Sequence, residues 1–395
     1  MNEKETYELL KAYKNKGKWR KALECAKALV DYNPKHPDYY KELSTCYRRL
    51  KRPRKATESM KKYLEIILNE NINDIIAIIK KAINVDTSLV KSTYKCVEFG
   101  GNNLGFIEHI DISNDQKYFT KIVQSKKLSN ERLFYDNIRE KFSELKIFSP
   151  ELIHFQEIEG PQVCFLTLEK IQGDYPNFYE HFEDVYNVNK AINGIQYNQI
   201  KDIFPSDVEI DFSSKPLTLS KIFTMLHKRE TNVKVFEWLY YQARERNYSL
   251  ESVSLIQRLE KLIIGNGFYK ELEPKVNYTF IHGDFQSTNI IYDSNEKNYK
   301  VIDWAYCGYG VKGVDLVKYF RREGLNFKEI KQYFLLKSEI TNYLKPIEQV
   351  FMVYSLIITW FNFMNKKLNE NHSDYLLPAI NYIEEVVNHV KRKTV

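Results

Sequence analysis

Apolar positions change their spacing along this 395-residue chain. Near the N-terminus they belong to a duplication. At a shift of 34 residues, Glu8, Leu9, Tyr13, Arg20, Lys21, Ala22, Glu24 and Lys27 recur as Glu42, Leu43, Tyr47, Arg54, Lys55, Ala56, Glu58 and Lys61. Leu9, Tyr13 and Ala22 are the positions expected to pack between paired helices, the small Ala allowing two helices to approach closely. Gly17-Lys18-Trp19 marks the first turn and Asn33-Pro34 the end of the first copy. The second copy places Pro53 where the first has Trp19, a change expected to reshape its turn. The apolar segment from Ile72 to Ile83 is expected to cap the stack, because a terminal face must be covered.

From Tyr94 the pattern becomes that of strands. Tyr94 to Val97 and Phe106 to Ile112 alternate or run apolar, with a glycine turn at Gly100, Gly101 and Gly105 between them. A third strand, Tyr118 to Val123, carries Lys121 among apolar neighbours. A helix is expected over Asn130 to Glu140, with Asn130 as N-cap and Glu131 in its first turn. Leu219, Ile222, Phe223 and Leu226 follow the i, i+3, i+4, i+7 spacing of a helix on a core; His227 ends that stripe and reads as structural. Ile380, Ile383, Val387 and Val390 repeat the helical spacing near the C-terminus.

Composition narrows the class. With 43% hydrophobic and 28% charged residues, wholesale disorder is excluded. No run of 18 apolar residues occurs; the best candidate, Phe351 to Met364, is interrupted by Ser355, Thr359 and Asn362. The N-terminus shows no apolar signal core, and the 5 cysteines are scattered without a CxxC pair. A cytoplasmic protein with reduced thiols and no integral membrane segment is expected. Charge is uneven: residues 1–92 hold 21 Lys and Arg against 12 Asp and Glu, the remainder 38 against 40. The densest run, Arg48 to Lys55, fits a solvated helical face, and also a docking site for a protein partner or an anionic surface; nucleic acid is not expected as a partner.

The chemistry concentrates in one stretch. Tyr278 to Ile281 is apolar, then His282-Gly283-Asp284 opens a polar loop, Asn289 follows five residues after Asp284, and a second apolar run leads through Lys300 to Asp303-Trp304. By average usage, His-Gly-Asp-x4-Asn arises by chance in about a few per thousand chains of this length. Asp315-Leu316 stands twelve residues after Asp303. This pattern resembles the aminoglycoside phosphotransferase and choline kinase superfamily, which shares the protein-kinase fold; the resemblance covers residues 94–340 and is most specific over 281–316. The N-terminal duplication resembles tetratricopeptide repeats.

The resemblance implies an α+β, two-lobed kinase-like fold behind an all-α repeat module. Its expected parts are residues 1–92 (repeats and capping helix), 93–170 (an antiparallel sheet and helix ending in a hinge) and 171–395 (a mainly helical lobe with the catalytic loop at 281–304). Asp284 matches the catalytic base, His282 a brace of the same loop, and Asn289 and Asp303 the Mg²⁺ ligands; Asp315 is expected to buttress the loop. Lys121 takes the place of the phosphate-contacting strand lysine, Glu131 that of its partner, and Gly100 and Gly101 that of the phosphate-covering turn. Backbone groups at Glu169 and Ile171 would receive the nucleobase. The implied cofactors are ATP, with GTP as an alternative, and Mg²⁺. Such residues suit phosphoryl transfer, which needs positioning and charge neutralisation more than covalent chemistry. Asp315 follows Asp303 by only twelve positions, which leaves little room for a protein-kinase activation segment and points to a hydroxyl of a small molecule or saccharide, in amino-alcohol or surface-glycan metabolism. The acceptor itself does not follow: Glu180, Glu183 and Asp184 could attract a cation, and Tyr354, Trp360 and Phe361 could stack on it or build core. The competing expectation is a catalytically silent kinase-fold scaffold working with the repeats.

Overall fold

The structure, a computed structural model, describes residues 2–69, 71–95, 103–124, 129–204, 209–213, 217–363 and 372–393. It divides into two compact units, Met1–Ser129 with Pro150–Ile171, and Asn130–Ser149 with Gln172–Val395.

The first unit opens with helices α1 (Glu3–Asn15), α2 (Trp19–Tyr32), α3 (Pro37–Arg49), α4 (Pro53–Leu68) and α5 (Ile72–Ile83). Asn2 and Glu5 form a capping box that fixes the start of α1, and prolines occupy the first turns of α3 and α4, where no backbone donor is needed. Ala22 and Ala56, equivalent in the two copies, are both fully buried, as the duplication requires. Leu9 is not: it is 37% exposed, and Leu10 is fully buried in its stead. One residue turns a helix by about 100°, so the apolar neighbour takes the seam while Leu9 faces outward.

Pro53 leaves its turn unchanged. Lys51 adopts φ 56°, close to the 66° of Gly17 at the equivalent position. The closing bonds repeat as well, Lys18 N–H to Tyr13 O and Arg52 N–H to Tyr47 O, both 2.9 Å. A proline at the first helical position carries the required φ already.

The same unit holds an antiparallel sheet in the order β1-β2-β3-β5-β4, from β1 (Val90–Lys95), β2 (Asn103–Asp111), β3 (Gln116–Gln124), β4 (Leu152–Ile158) and β5 (Val163–Glu169). Strand β1 begins earlier than the apolar run suggests, with Cys96 and Val97 of that run outside the described residues, and β2 begins and ends earlier than its run. Leu64, Leu68, Ile72, Ile75 and Ile79 from the helices join Leu104, Ile107, Ile122, Val163 and Phe165 from the sheet in one core. Helix α5 therefore does more than end a stack. It seals the sheet's inner face. Across the strands runs a polar chain, buried from His109 onward: Ser92 to His109 (2.7 Å), His109 to Thr120 (2.8 Å) and Thr120 to Thr167 (2.8 Å). Burial pushes the His109 imidazole down to about 4, so it is neutral at physiological pH.

The second unit is mainly helical: α6 (Ser129–Leu133, starting at the unit boundary), α7 (Phe178–Ile192), α8 (Leu219–Thr224), α9 (Arg229–Glu245), α10 (Leu250–Glu260), α11 (Asp315–Arg322), α12 (Pro346–Phe363) and α13 (His372–Lys393). The helix expected over 130–140 is α6 followed by a π turn, Phe134–Ile138, and Asn130 lies inside it; its Nδ2 donates to Cys307 O at 2.7 Å instead of capping. Helix α12 is apolar on every side and buried from Glu348 to Phe361, the signature of a central core helix. Tyr354, Trp360 and Phe361 are accordingly core residues with no face open to a ligand. Two small sheets complete the unit: β7 (Tyr278–Ile281) pairs with β10 (Gly308–Val311), and β6 (Gly173–Asp174), β8 (Ile290–Asp293) and β9 (Asn298–Val301) form a ribbon.

Candidate active site

The loop leaving β7 is held from below by a single carboxylate. Asp315, 3% exposed in the first turn of α11, accepts the His282 N–H at 2.7 Å on one oxygen and the Gly283 N–H at 2.8 Å on the other. Burial pushes its carboxyl up to about 6, against the pull of those two donors. Gly283 has φ +76°, and a Cβ there would stand 2.0 Å from Tyr306 O, so both the backbone conformation and the close approach require glycine.

His282 is fully buried. Its Nε2 lies 3.0 Å from Ile302 O and its Nδ1 3.2 Å from the Asp284 N–H. The carbonyl can only accept and the amide only donate, so the proton sits on Nε2. Burial pushes the imidazole down to about 4, although Asp284 and Asp303 favour its charged form. Neutral and with both nitrogens engaged, His282 ties the Asp284 loop to the strand end before Asp303. Both ring nitrogens are committed to backbone groups of the loop and its neighbouring strand end.

Asp284 is where the polar contacts converge. Its Oδ1 is 2.8 Å from Lys318 Nζ, and its Oδ2 accepts from Asn289 Nδ2 at 3.0 Å and Gln286 Nε2 at 3.3 Å. Asn289 Nδ2 also donates to Asp284 O at 2.9 Å. With its amide nitrogen so committed, Asn289 turns its Oδ1 away, and that oxygen accepts no hydrogen bond from the described residues. The β8–β9 register pairs Ile290 with Val301, and Ile302 N–H donates to Asn289 O at 2.9 Å. The Asn289 amide and the Asp303 carboxylate thus stand at adjacent strand ends. Asp303 holds the left-handed backbone, φ 64° and ψ 62°, a costly conformation for a non-glycine residue of the kind that clusters at functional sites. Its neighbour Trp304 anchors it: the indole donates to Val301 O at 2.8 Å and stacks on Phe134 at 3.9 Å. An amide oxygen without a donor among the described residues and a carboxylate on the adjoining strand end are hard ligands of the kind Mg²⁺ takes.

The other expected residues lie as follows. Lys121 is on β3 in the first unit, 8% exposed, paired in register with Phe106 and Leu166. Glu131 is in the second unit, 1% exposed; its charge, with that of Asp303, reinforces the burial that raises the Tyr135 phenol well above its usual range. Glu169 ends β5, where the Glu169 and Lys170 N–H groups already donate to Glu151 O and Lys117 O. Of the hinge donors only the Ile171 N–H has no acceptor among the described residues. Gly100 and Gly101 lie outside the described residues. Lys318 was not legible as a site residue in the sequence; its one signal is its place a helical turn beyond Asp315, on the same side of α11. Glu180 and Glu183 are exposed on α7, and Glu183 pairs with Lys337.

Residues 206–354 match the family model of choline/ethanolamine kinase, a stretch that contains the entire loop from His282 to Asp303 together with Asp315 and Lys318. The chain carries a domain of the kinase-like superfamily. Among solved structures, the kinase-like chain is similar to an ethanolamine kinase of Plasmodium vivax, at 14% identity and a TM-score of 0.44, covering 86% of this chain and 92% of that one. It is similar also to a proposed fructosamine-3-kinase of Haemophilus somnus 129PT, at 14% identity and a TM-score of 0.39, covering 79% and 96%. No curated protein matches the kinase-like chain significantly.

Proposed function

We propose that this protein transfers the γ-phosphoryl group of ATP to a hydroxyl of a small molecule, with Mg²⁺ as cofactor. The observation that supports the reading best is the Asp284–Asn289 arrangement, a base candidate held by an amide nitrogen, with the Asn289 backbone bonded to the residue before Asp303. In this reading the acceptor hydroxyl docks on Asp284 and attacks the γ-phosphorus. The bond from that phosphorus to the bridging oxygen breaks, ADP departs, and the acceptor's proton passes to Asp284. Asn289 and Asp303 would hold Mg²⁺, which supplies charge neutralisation for the phosphates. Asp315 and His282 keep the loop in register throughout. Lys121 and Glu131 are assigned to phosphate positioning, and the Ile171 N–H to the nucleobase.

The family match favours an amino alcohol such as ethanolamine or choline as acceptor, with amino sugars and glycan precursors as the next classes. The 34-residue repeats are assigned a tetratricopeptide-like docking role for a protein partner or an anionic surface through their exposed basic run. A reducing, cytoplasmic setting agrees with Cys25, Cys46, Cys164 and Cys307, all buried and none in a disulfide; among the described residues no helix is long and apolar enough to cross a membrane.

Thermal shift with ATP or GTP, with and without Mg²⁺, on wild type and Asp303→Ala tests the reading. A Mg²⁺-dependent stabilisation by nucleotide that Asp303→Ala loses is expected. Absence of any shift at millimolar nucleotide would overturn it.

A further inference from the structure

The loop holds a cation that the motif residues do not account for. Lys318, on α11 and only 12% exposed at its side chain, donates to Gly283 O at 2.7 Å and to Asp284 Oδ1 at 2.8 Å. Its ammonium has three N–H groups, and the third has no acceptor among the described residues. A carboxylate offers about four lone-pair sites. On Asp284, the Asn289 and Gln286 amides occupy both sites of Oδ2, and Lys318 occupies one of Oδ1. The site left for an acceptor hydroxyl is on Oδ1, the oxygen that Lys318 holds.

Resting on the phosphotransfer reading above, we infer that Lys318 is a catalytic residue of this site: it fixes the Asp284 carboxylate and points its remaining N–H at the phosphoryl group in flight. The hydroxyl that docks on Oδ1 brings the attacked phosphorus next to the ammonium. Negative charge then builds on the equatorial phosphoryl oxygens within reach of a donor already in place, which is the arrangement that lowers a barrier without reorganisation. The fold supports such a rigid placement. The ammonium is anchored by two bonds to the loop, and it lies 5.5 Å from the centre of the Tyr306 ring. Asp315, one turn earlier on the same helix, holds the other side of the same loop, so any movement of α11 would carry both groups together.

A lysine that merely braces the loop would affect nucleotide binding and turnover alike. A lysine that meets charge only in the transition state would affect turnover alone. The test measures ATP consumption by wild type, Lys318→Arg and Lys318→Met, with ethanolamine as acceptor and with water alone, beside MgATP stabilisation of each by thermal shift. Lys318→Met is expected to keep the MgATP shift and a KM for ATP within about threefold, and to lose about 100-fold in kcat, with Lys318→Arg recovering most of the loss. A Lys318→Met variant with kcat within about threefold of wild type overturns the inference. So does a variant that loses MgATP stabilisation along with turnover and is not restored by arginine, since that is the signature of a brace. A wild type that gains no stability from MgATP is a different result and removes the phosphotransfer reading itself.

Discussion

Gly283 and Gly324 offer a matched pair of perturbations. Their backbones are nearly identical, φ +76° and +75°, but a Cβ at Gly283 would lie 2.0 Å from Tyr306 O and 3.1 Å from Ser220 Cβ, whereas one at Gly324 would meet nothing within 4 Å. Alanine in the left-handed region costs about 1–2 kcal/mol at either site. Gly324→Ala should show that cost alone. At Gly283 the carbon and oxygen must separate to the ordinary contact of about 3.3 Å, a displacement of about 1.3 Å between two backbone segments. Forced shifts of this kind add about 1–3 kcal/mol. Gly283→Ala is therefore expected to lose about 2–5 kcal/mol in urea unfolding, clearly more than its control. The displaced segment carries Asp284, and a misplacement of about 1 Å at reacting groups costs about 100-fold in rate. ATP turnover should fall by that order in Gly283→Ala and hold in Gly324→Ala. Equal destabilisation in the two variants, or normal turnover in Gly283→Ala, would show that the close approach to Tyr306 does not set the loop's position.

Two further outcomes follow from burial. The His282 pKa falls from 6.5 unfolded to about 4 folded, so its contribution is present above pH 6.5 and is lost as pH drops toward 4. In urea unfolding, the stability difference between wild type and His282→Gln should stay constant above pH 6.5 and shrink by about 3 kcal/mol on the way to pH 4; a pH-independent difference would refute the neutral, buried imidazole. In the repeats, Leu10→Ala should cost about 2–5 kcal/mol and Leu9→Ala less than about 1, measured as shifts in the denaturation midpoint, because of these two only Leu10 is buried in the helix seam.

Short-range pattern carried much of this protein's description. The 34-residue duplication placed four helices, and the loop spacing placed His282, Asp284, Asn289 and Asp303, because residues close in sequence are bound to be close in space once the strand–loop–strand path is fixed. Even the equivalence of Gly17 and Lys51 follows that period, although the exchange of Trp19 for Pro53 suggested otherwise. What the tertiary structure decided depends on groups that meet from afar. Lys318 reaches Asp284 across 34 residues of chain, and no periodicity marks a lysine for that contact. The neutrality of His282 comes from complete burial, which outweighs the pull of Asp284, Asp303 and the Ile302 carbonyl, 20 residues away, toward the charged form. Tyr354, Trp360 and Phe361 have the composition of a ligand-stacking surface, yet they are core because α12 is buried among α9, α11, α13 and β10. Residue type limits what a side chain can do; solvent exclusion and long-range partners, which arise only when the chain has folded, choose what it does.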